Sequence, residues 1–337
     1  MRARRLRNVL TVLAVFTTVA ATVSCSPEPD ELLIYNAQHE SLTKEWIEAF
    51  TRETGIKVRY RQGGDTELGN QIIAEGASSP ADVLLTENSP AIAAVERAGL
   101  LAEIEAQTTA QVPEQYRPAN NTWVGVAARS TVFVYNPDKL GSAELPASLL
   151  DLQNPRWRGR WGAPPAKADF QAIVAALLQL RGKPATEQWL TAMKSDATLY
   201  KDNIATLRAV NSGEVTGGVI YHYYWYRDQS KTKEMSGNTR LHYFKNEDPG
   251  AFVSLSGGGV LASSKRSDRA QQFLRFVTGV QGQQVLRDGT SFEYPVGSGV
   301  PANSALVPLD ELQAPAVNPS TLDGAAVTEL MTQAGLL

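Results

Sequence analysis

Between residues 32 and 99 the apolar positions switch repeatedly between two periods. Leu32-Leu33-Ile34-Tyr35 is a short continuous apolar run and predicts a buried strand. From residue 40 to 54 the apolar side chains Leu42, Trp46, Ile47 and Phe50 recur at helical spacing, and Gly55 ends the element. Residues 56–60 alternate as a strand. A second helix is expected over 66–75 with Leu68, Ile72 and Ile73 inward, then a strand over 81–86 and a helix over 89–98 before Gly99. Strands separated by helices imply parallel βαβ units, whose ligands sit beyond the carboxyl ends of the strands. His39 follows the first strand and Glu87 the third, so both belong on one rim of one sheet.

The pattern then lengthens. Residues 124–135 predict a long strand leaving this first lobe, turned by Asn136-Pro137. Helices are expected over 170–180, 184–194 (Trp189, Leu190 and Met193 inward) and 203–211, leading into a buried strand over 217–222. Residues 251–263 predict a return strand, and 268–278 and 282–286 two more helices. Gly257-Gly258-Gly259 lacks both the Walker lysine and dinucleotide spacing, which makes a phosphate loop a weak reading.

The N-terminus reads as an export signal. Arg2, Arg4, Arg5 and Arg7 precede an uncharged, mostly apolar run of 15 residues, Val9 to Val23, short for a membrane span. Small residues lead to Cys25, the only cysteine in the chain, so no internal disulfide exists. This pattern predicts cleavage of residues 1–24, acylation of Cys25 and a short tether over 25–30. Residues 1–24 hold four arginines and no acid, so their removal takes the formal charge from −3 to −7. An acidic exported chain is a poor nucleic-acid binder. The one basic-aromatic patch, Arg156-Trp157-Arg158-Gly159-Arg160-Trp161, reads as a solvated loop anchored by its tryptophans. The mature length exceeds what a single core usually supports, and two lobes are expected.

The densest chemistry lies in Val219-Ile220-Tyr221-His222-Tyr223-Tyr224-Trp225-Tyr226, where five of eight residues are aromatic in a chain that is 8% aromatic. Such a run ordinarily packs in a core. A neutral phenol, with a pKa of about 10, is also a weak ligand. A small, highly charged cation displaces its proton and leaves a hard oxygen donor. Consecutive side chains within a strand point to opposite faces. Where the chain leaves the strand, at Tyr223 onward, two neighbouring phenols are able to converge.

The ordered set Tyr35-Asn36-Ala37-Gln38-His39, 50–58, Ser79-Pro80-Ala81-Asp82-Val83 with Glu87 behind it, Tyr223-Tyr224-Trp225 and Asp248-Pro249-Gly250-Ala251 resembles the ferric-iron-binding periplasmic proteins of bacterial ABC importers. The resemblance implies an α/β, two-lobed type II periplasmic-binding-protein fold with ligand in the interlobe cleft. Lobe one then spans 31–131 with 255–300 returning to it, and lobe two spans 132–254 with 301–337 packing on it. By resemblance His39, Glu87, Tyr223 and Tyr224 match the iron ligands. One carboxylate and two phenolates balance Fe3+, the imidazole adds a neutral nitrogen, and two positions remain for an anion or water. By the same resemblance Asn203 and Asn88, the latter directly after Glu87, match anion-binding positions. The anion loop departs from the family pattern: it reads Ala166-Lys167-Ala168-Asp169-Phe170. Lys167 attracts an anion there, whereas Asp169 either repels one or caps the following helix. Tyr221 and His222 either touch the site or pack behind it. The implied partners are an ABC importer permease and, through Cys25, the membrane, with a monomer expected.

Two other classes compete. A receptor of the same fold for a sugar, polyamine or thiamine-type solute uses aromatics for stacking and needs no His–Glu–Tyr–Tyr set. A metal-dependent hydrolase calls for a nucleophile elbow, an HExxH motif or paired carboxylates, none of which the chain carries, so no enzyme is expected.

Overall fold

The computed structural model describes residues 31–337, so the expected signal peptide, tether and Cys25 acylation site lie outside the described residues. Among the described residues nine strands form the framework: β1 (Leu32–Asn36), β2 (Val58–Gln62), β3 (Val83–Leu85), β4 (Val124–Tyr135), β5 (Trp161–Ala163), β6 (Thr198–Leu199), β7 (Gly217–Tyr221), β8 (Arg240–His242) and β9 (Val253–Val260). The helices are α1 (Glu40–Thr54), α2 (Asp65–Glu75), α3 (Ser89–Arg97), α4 (Ala106–Thr109), α5 (Ala168–Asp196), α6 (Asn203–Ser212), α7 (His222–Gln229), α8 (Ser267–Thr278), α9 (Val280–Asp288) and α10 (Gly324–Gln333). Among the described residues no helix is long and apolar enough to cross a membrane.

The strand order is β2-β1-β3-β9-β4-β7-β5-β6, with β8 also on β4. β1 pairs in parallel with β2 and β3, as alternation of strands and helices requires. β4 joins the two lobes. Its first part, Val124 to Ser130, pairs antiparallel with β9, and its second part, Thr131 to Tyr135, pairs with β7. β9 runs back beside it and pairs with β3, so two crossing strands link the lobes.

Side-chain alternation places a core on each face of both sheets. In lobe one Leu32 and Ile34 meet Leu42, Trp46 and Phe50 of α1 and Phe273 and Leu274 of α8. Leu33 and Tyr35 meet Leu68 and Ile72 of α2 and Ile92 and Val95 of α3. Fully burying a side chain such as Leu42 or Phe50 contributes about 1.5–3 kcal/mol, which is why this stripe fixes how α1 sits. In lobe two Phe133 and Val219 face α5, and Val132, Val134 and Ile220 face Leu207 and Val210 of α6. The glycine-rich stretch belongs to these contacts rather than to a phosphate. A Cβ on Gly257 would lie 2.7 Å from Ile92 of α3.

Several expected elements differ in detail. The helices expected over 170–180 and 184–194 abut as α5, broken only at Gly182, whose φ of 76° no other residue adopts cheaply. Ile73, expected inward, is 39% exposed, because the α2 stripe is narrower than its sequence spacing implies. The basic-aromatic patch is more than a loop: Trp161 starts β5, and both tryptophans are buried, with Arg156 and Arg160 over the Trp157 ring at 5.4 and 5.5 Å.

Candidate metal centre

Five helices begin at one point in the cleft. His39 occupies the cap position of α1 and Asn88 that of α3, each three residues beyond the end of a lobe-one strand. Asp169 lies in the first turn of α5, Asn203 opens α6, and Tyr223 and Tyr224 lie in the first turn of α7, all in lobe two. Each helix N-terminus carries partial positive charge, so the cleft is lined by dipole ends that favour anionic side chains. The β7 strand reaches this point because Gly217 and Gly218 have no side chain. A Cβ at Gly217 would lie 2.1 Å from the Phe133 ring.

The expected ligands meet. His39 Nε2 lies 3.2 Å from Glu87 Oε1, and the two side chains keep 19% exposure each. That nitrogen is buried and has no hydrogen-bond partner. Tyr223 donates its hydroxyl to Glu87 Oε1 at 2.9 Å, and its ring packs on His39 with centroids 5.0 Å apart. The Tyr223 and Tyr224 rings lie 4.2 Å apart. Both hydroxyls face Asp169 Oδ2, at 3.4 and 3.0 Å.

Of the two roles open to Asp169, opposing an anion or capping α5, the structure excludes the cap. The helix begins at Ala168, Lys167 holds the cap position, and the Asp169 carboxylate is buried in the cleft. It takes the partners expected of an external anion. Asn203 Nδ2 donates to Asp169 Oδ2 at 2.8 Å and Asn88 Nδ2 to Oδ1 at 3.0 Å. Lys167 is exposed and pairs with no described residue. Tyr221 reaches the edge of the site, donating to Asn88 Oδ1 at 3.4 Å. His222 packs behind it, accepting from the Ser130 amide at 3.1 Å and stacking on Tyr294 at 4.8 Å.

A buried layer supports this set. Asp65 accepts from the Glu87 and Asn88 amides at 2.8 and 2.9 Å, which fixes the start of α3. Arg129 pairs with Glu293 and with Ser256, and Ser256 Oγ also accepts from Gln38 and donates to the Glu87 carbonyl.

The electrostatics are those of a site crowded with acids. Burial pushes Glu87 up to about 7, with Asp65 and Glu293 adding to the rise against Arg129. Burial and then Glu87 push Asp169 up to about 6, and burial pushes Asp65 to about 7. Burial, then Asp169 and Glu87, hold the Tyr223 and Tyr224 phenols well above their ordinary value. Burial keeps the His39 imidazole below its ordinary value, so it presents a neutral nitrogen. A cation among these groups would reverse every rise. Among the described residues no three His, Cys, Asp or Glu side chains are grouped to hold a metal ion, so a metal at this point would rely on the phenol oxygens as well.

Residues 78–327 match the family model of bacterial extracellular solute-binding proteins. The chain belongs to that family, among its ferric-iron-binding periplasmic members. A Fe(3+)-binding periplasmic protein of Serratia marcescens is 59% identical over 306 residues, covering 91% of this chain and 90% of the relative. The major ferric iron-binding protein of Neisseria meningitidis serogroup B is 35% identical over 94% of this chain and 96% of its own length. Iron-bound HitA from Pseudomonas aeruginosa superposes with a TM-score of 0.87 at 42% identity, over 91% of this chain and all of that one. The family fold is the type II two-lobed architecture described above. Its members are solute-binding proteins rather than enzymes.

Proposed function

We propose that this protein captures ferric iron outside the cytoplasm and delivers it to an ABC-type permease. His39, Glu87, Tyr223 and Tyr224 donate to the metal, and Asp169 supplies a fifth donor where an external anion was expected, leaving one position for water or a small anion. The carrying observation is that four acidic oxygens, from Glu87, Asp169, Tyr223 and Tyr224, gather from two lobes beside an unpartnered imidazole nitrogen. Four hydrogen-bonded acids and phenols at such distances, held above their ordinary values by burial, are a poor arrangement for a neutral sugar and a good one for a hard trivalent cation. The ferric names of the Serratia and Neisseria relatives agree with this reading.

His39, Glu87 and Asn88 stand on lobe one, and Asp169, Asn203, Tyr223 and Tyr224 on lobe two. A single ion satisfies all donors only when the lobes are closed, with the hinge in β4 and β9. The permease then reads the closed form, while acylated Cys25 holds the monomeric protein at the outer face of the cell membrane after residues 1–24 are removed. Lobe one comprises 31–131 and 255–300, lobe two 132–254, with 301–337 on lobe two.

The test is a titration with ferric nitrilotriacetate at pH 7.5. One equivalent should produce a visible tyrosinate-to-iron band, while sugars, polyamines and thiamine leave intrinsic fluorescence and melting temperature unchanged. A colourless ferric titration together with a shift by one of those solutes would install the organic-solute reading instead.

A further inference from the structure

Arg129 is the one charged side chain in β4, and it is fully buried. It sits where β4 changes lobes: Arg129 is registered with Ser254 of β9, and Thr131, two residues on, with Tyr221 of β7. Its Nη2 binds Glu293 and Ser256, while Nε and Nη1 have no partner. The guanidinium carbon lies 5.9 Å from the centroid of the Tyr223 ring. Through Ser256 the same group reaches the carbonyl of Glu87 and the amide of Gln38, whose Oε1 accepts from the His39 amide at 2.7 Å.

A buried salt bridge is weak evidence for stability, since desolvation offsets much of the attraction. Its cost here is matched to a specific place. Arg129 bears on the backbone of both lobe-one donors and on the ring of one lobe-two donor. A cation beside an aromatic ring is attracted to its negative face, and that attraction strengthens when the ring carries a phenolate.

Resting on the ferric reading above, we infer that Arg129 is a positioning residue that links the two halves of the donor set at the hinge, with its charge held beside the Tyr223 ring. Glu293 fixes the guanidinium through an ion pair, and Ser256 and Gln38 connect it to Glu87 and His39. Among the described donor rings the guanidinium lies over that of Tyr223, so its charge lowers the energy of that phenolate's electrons more than of Tyr224's.

The consequence is spectroscopic. Removing the charge makes the Tyr223 phenolate easier to oxidise, and its charge-transfer band moves to longer wavelength. The experiment loads ferric ion onto wild type, Arg129→Lys, Arg129→Gln and the charge-neutral pair Arg129→Gln with Glu293→Gln, each checked for folding by circular dichroism. The band should stay in place for Arg129→Lys and shift to longer wavelength for Arg129→Gln and for the pair. The same set in a Tyr223→Phe background leaves only the Tyr224 band, which should not respond to Arg129. Gallium binding, followed by calorimetry, reports donor placement without colour and should weaken in Arg129→Gln. If wild type itself shows no band, the ferric reading fails. If wild type shows the band and neither glutamine variant moves it, or if the Tyr224 band moves equally, Arg129 has only a packing role and this inference is overturned. Should Arg129→Gln not fold, the neutral pair and the lysine variant decide the same question.

Discussion

The Tyr223 phenol of lobe two donates to the Glu87 carboxylate of lobe one across the cleft at 2.9 Å. A proton thus sits between two oxygens that a metal ion would claim, and binding must expel it. Above pH 7 the carboxylates at about 7 and about 6 are largely ionised, so each ferric ion should release about two protons, one per phenol. Below pH 6 Glu87 and Asp169 also hold protons, and the release should rise toward about four. Affinity therefore falls on acidification, more steeply below pH 6 than above pH 7. Chelator competition across pH 5–8.5 measures this, and a slope that is flat or that eases at low pH would remove the phenols and carboxylates from the coordination sphere.

Asp169 carries a cost in the metal-free protein. Its carboxyl sits at about 6, above the ordinary value, because burial and Glu87 oppose its charge. A group whose folded value is raised contributes stability that is present below its unfolded value and lost as pH rises through the folded one. The metal-free form should accordingly lose stability between pH 4 and 7. Asp169→Asn should raise metal-free stability at pH 7.5 by roughly 1–3 kcal/mol while weakening ferric binding. Thermal denaturation with and without iron checks both. A variant less stable than wild type at pH 7.5 would mean that Asp169 is held by its hydrogen bonds rather than strained by its charge.

The two amides around Asp169 make a further case. Asn203 and Asn88 hold its carboxylate at 2.8 and 3.0 Å, in the manner expected for an external anion. Phosphate should therefore leave wild-type ferric affinity unchanged in carbonate-free buffer and tighten it markedly in Asp169→Ser, where the position is open and the amides are free. Equal tightening of both proteins would show that Asp169 does not fill the anion's place.

Much of this was legible in the residues. α1 was expected over 40–54 and is observed over Glu40–Thr54, because a three-turn apolar stripe bounded by Gly55 leaves few alternatives. β4 likewise runs over Val124–Tyr135 as expected. The strands β5, β6 and β8 have three, two and three residues, too few to display a period, and were not anticipated. Nor was α10. Asp169 was visible but ambiguous: an acid just before Phe170 fits a helix cap as well as a carboxylate that opposes an anion, and only the folded backbone, with Lys167 at the cap position, excludes the first. Arg129 had an available signal, a charge inside a twelve-residue apolar strand, which marks a buried cation in need of a partner.

His39 should matter less than the phenols. It is a neutral donor whose place water is able to take, so His39→Ala should weaken ferric binding modestly and keep the colour. A loss as large as that from deleting a phenol would make the imidazole a principal ligand.

On the proposed function, Tyr223 and Tyr224 together bind ferric ion as phenolates. Replacing each by Phe keeps its ring in the core and removes one oxygen. A ferric titration of wild type, Tyr223→Phe, Tyr224→Phe and the double variant, followed in the visible and against a competing chelator, measures this directly. Each single variant should lose affinity by orders of magnitude and part of the band, and the double variant should be colourless. Wild-type affinity and an unchanged band in both single variants would contradict the account.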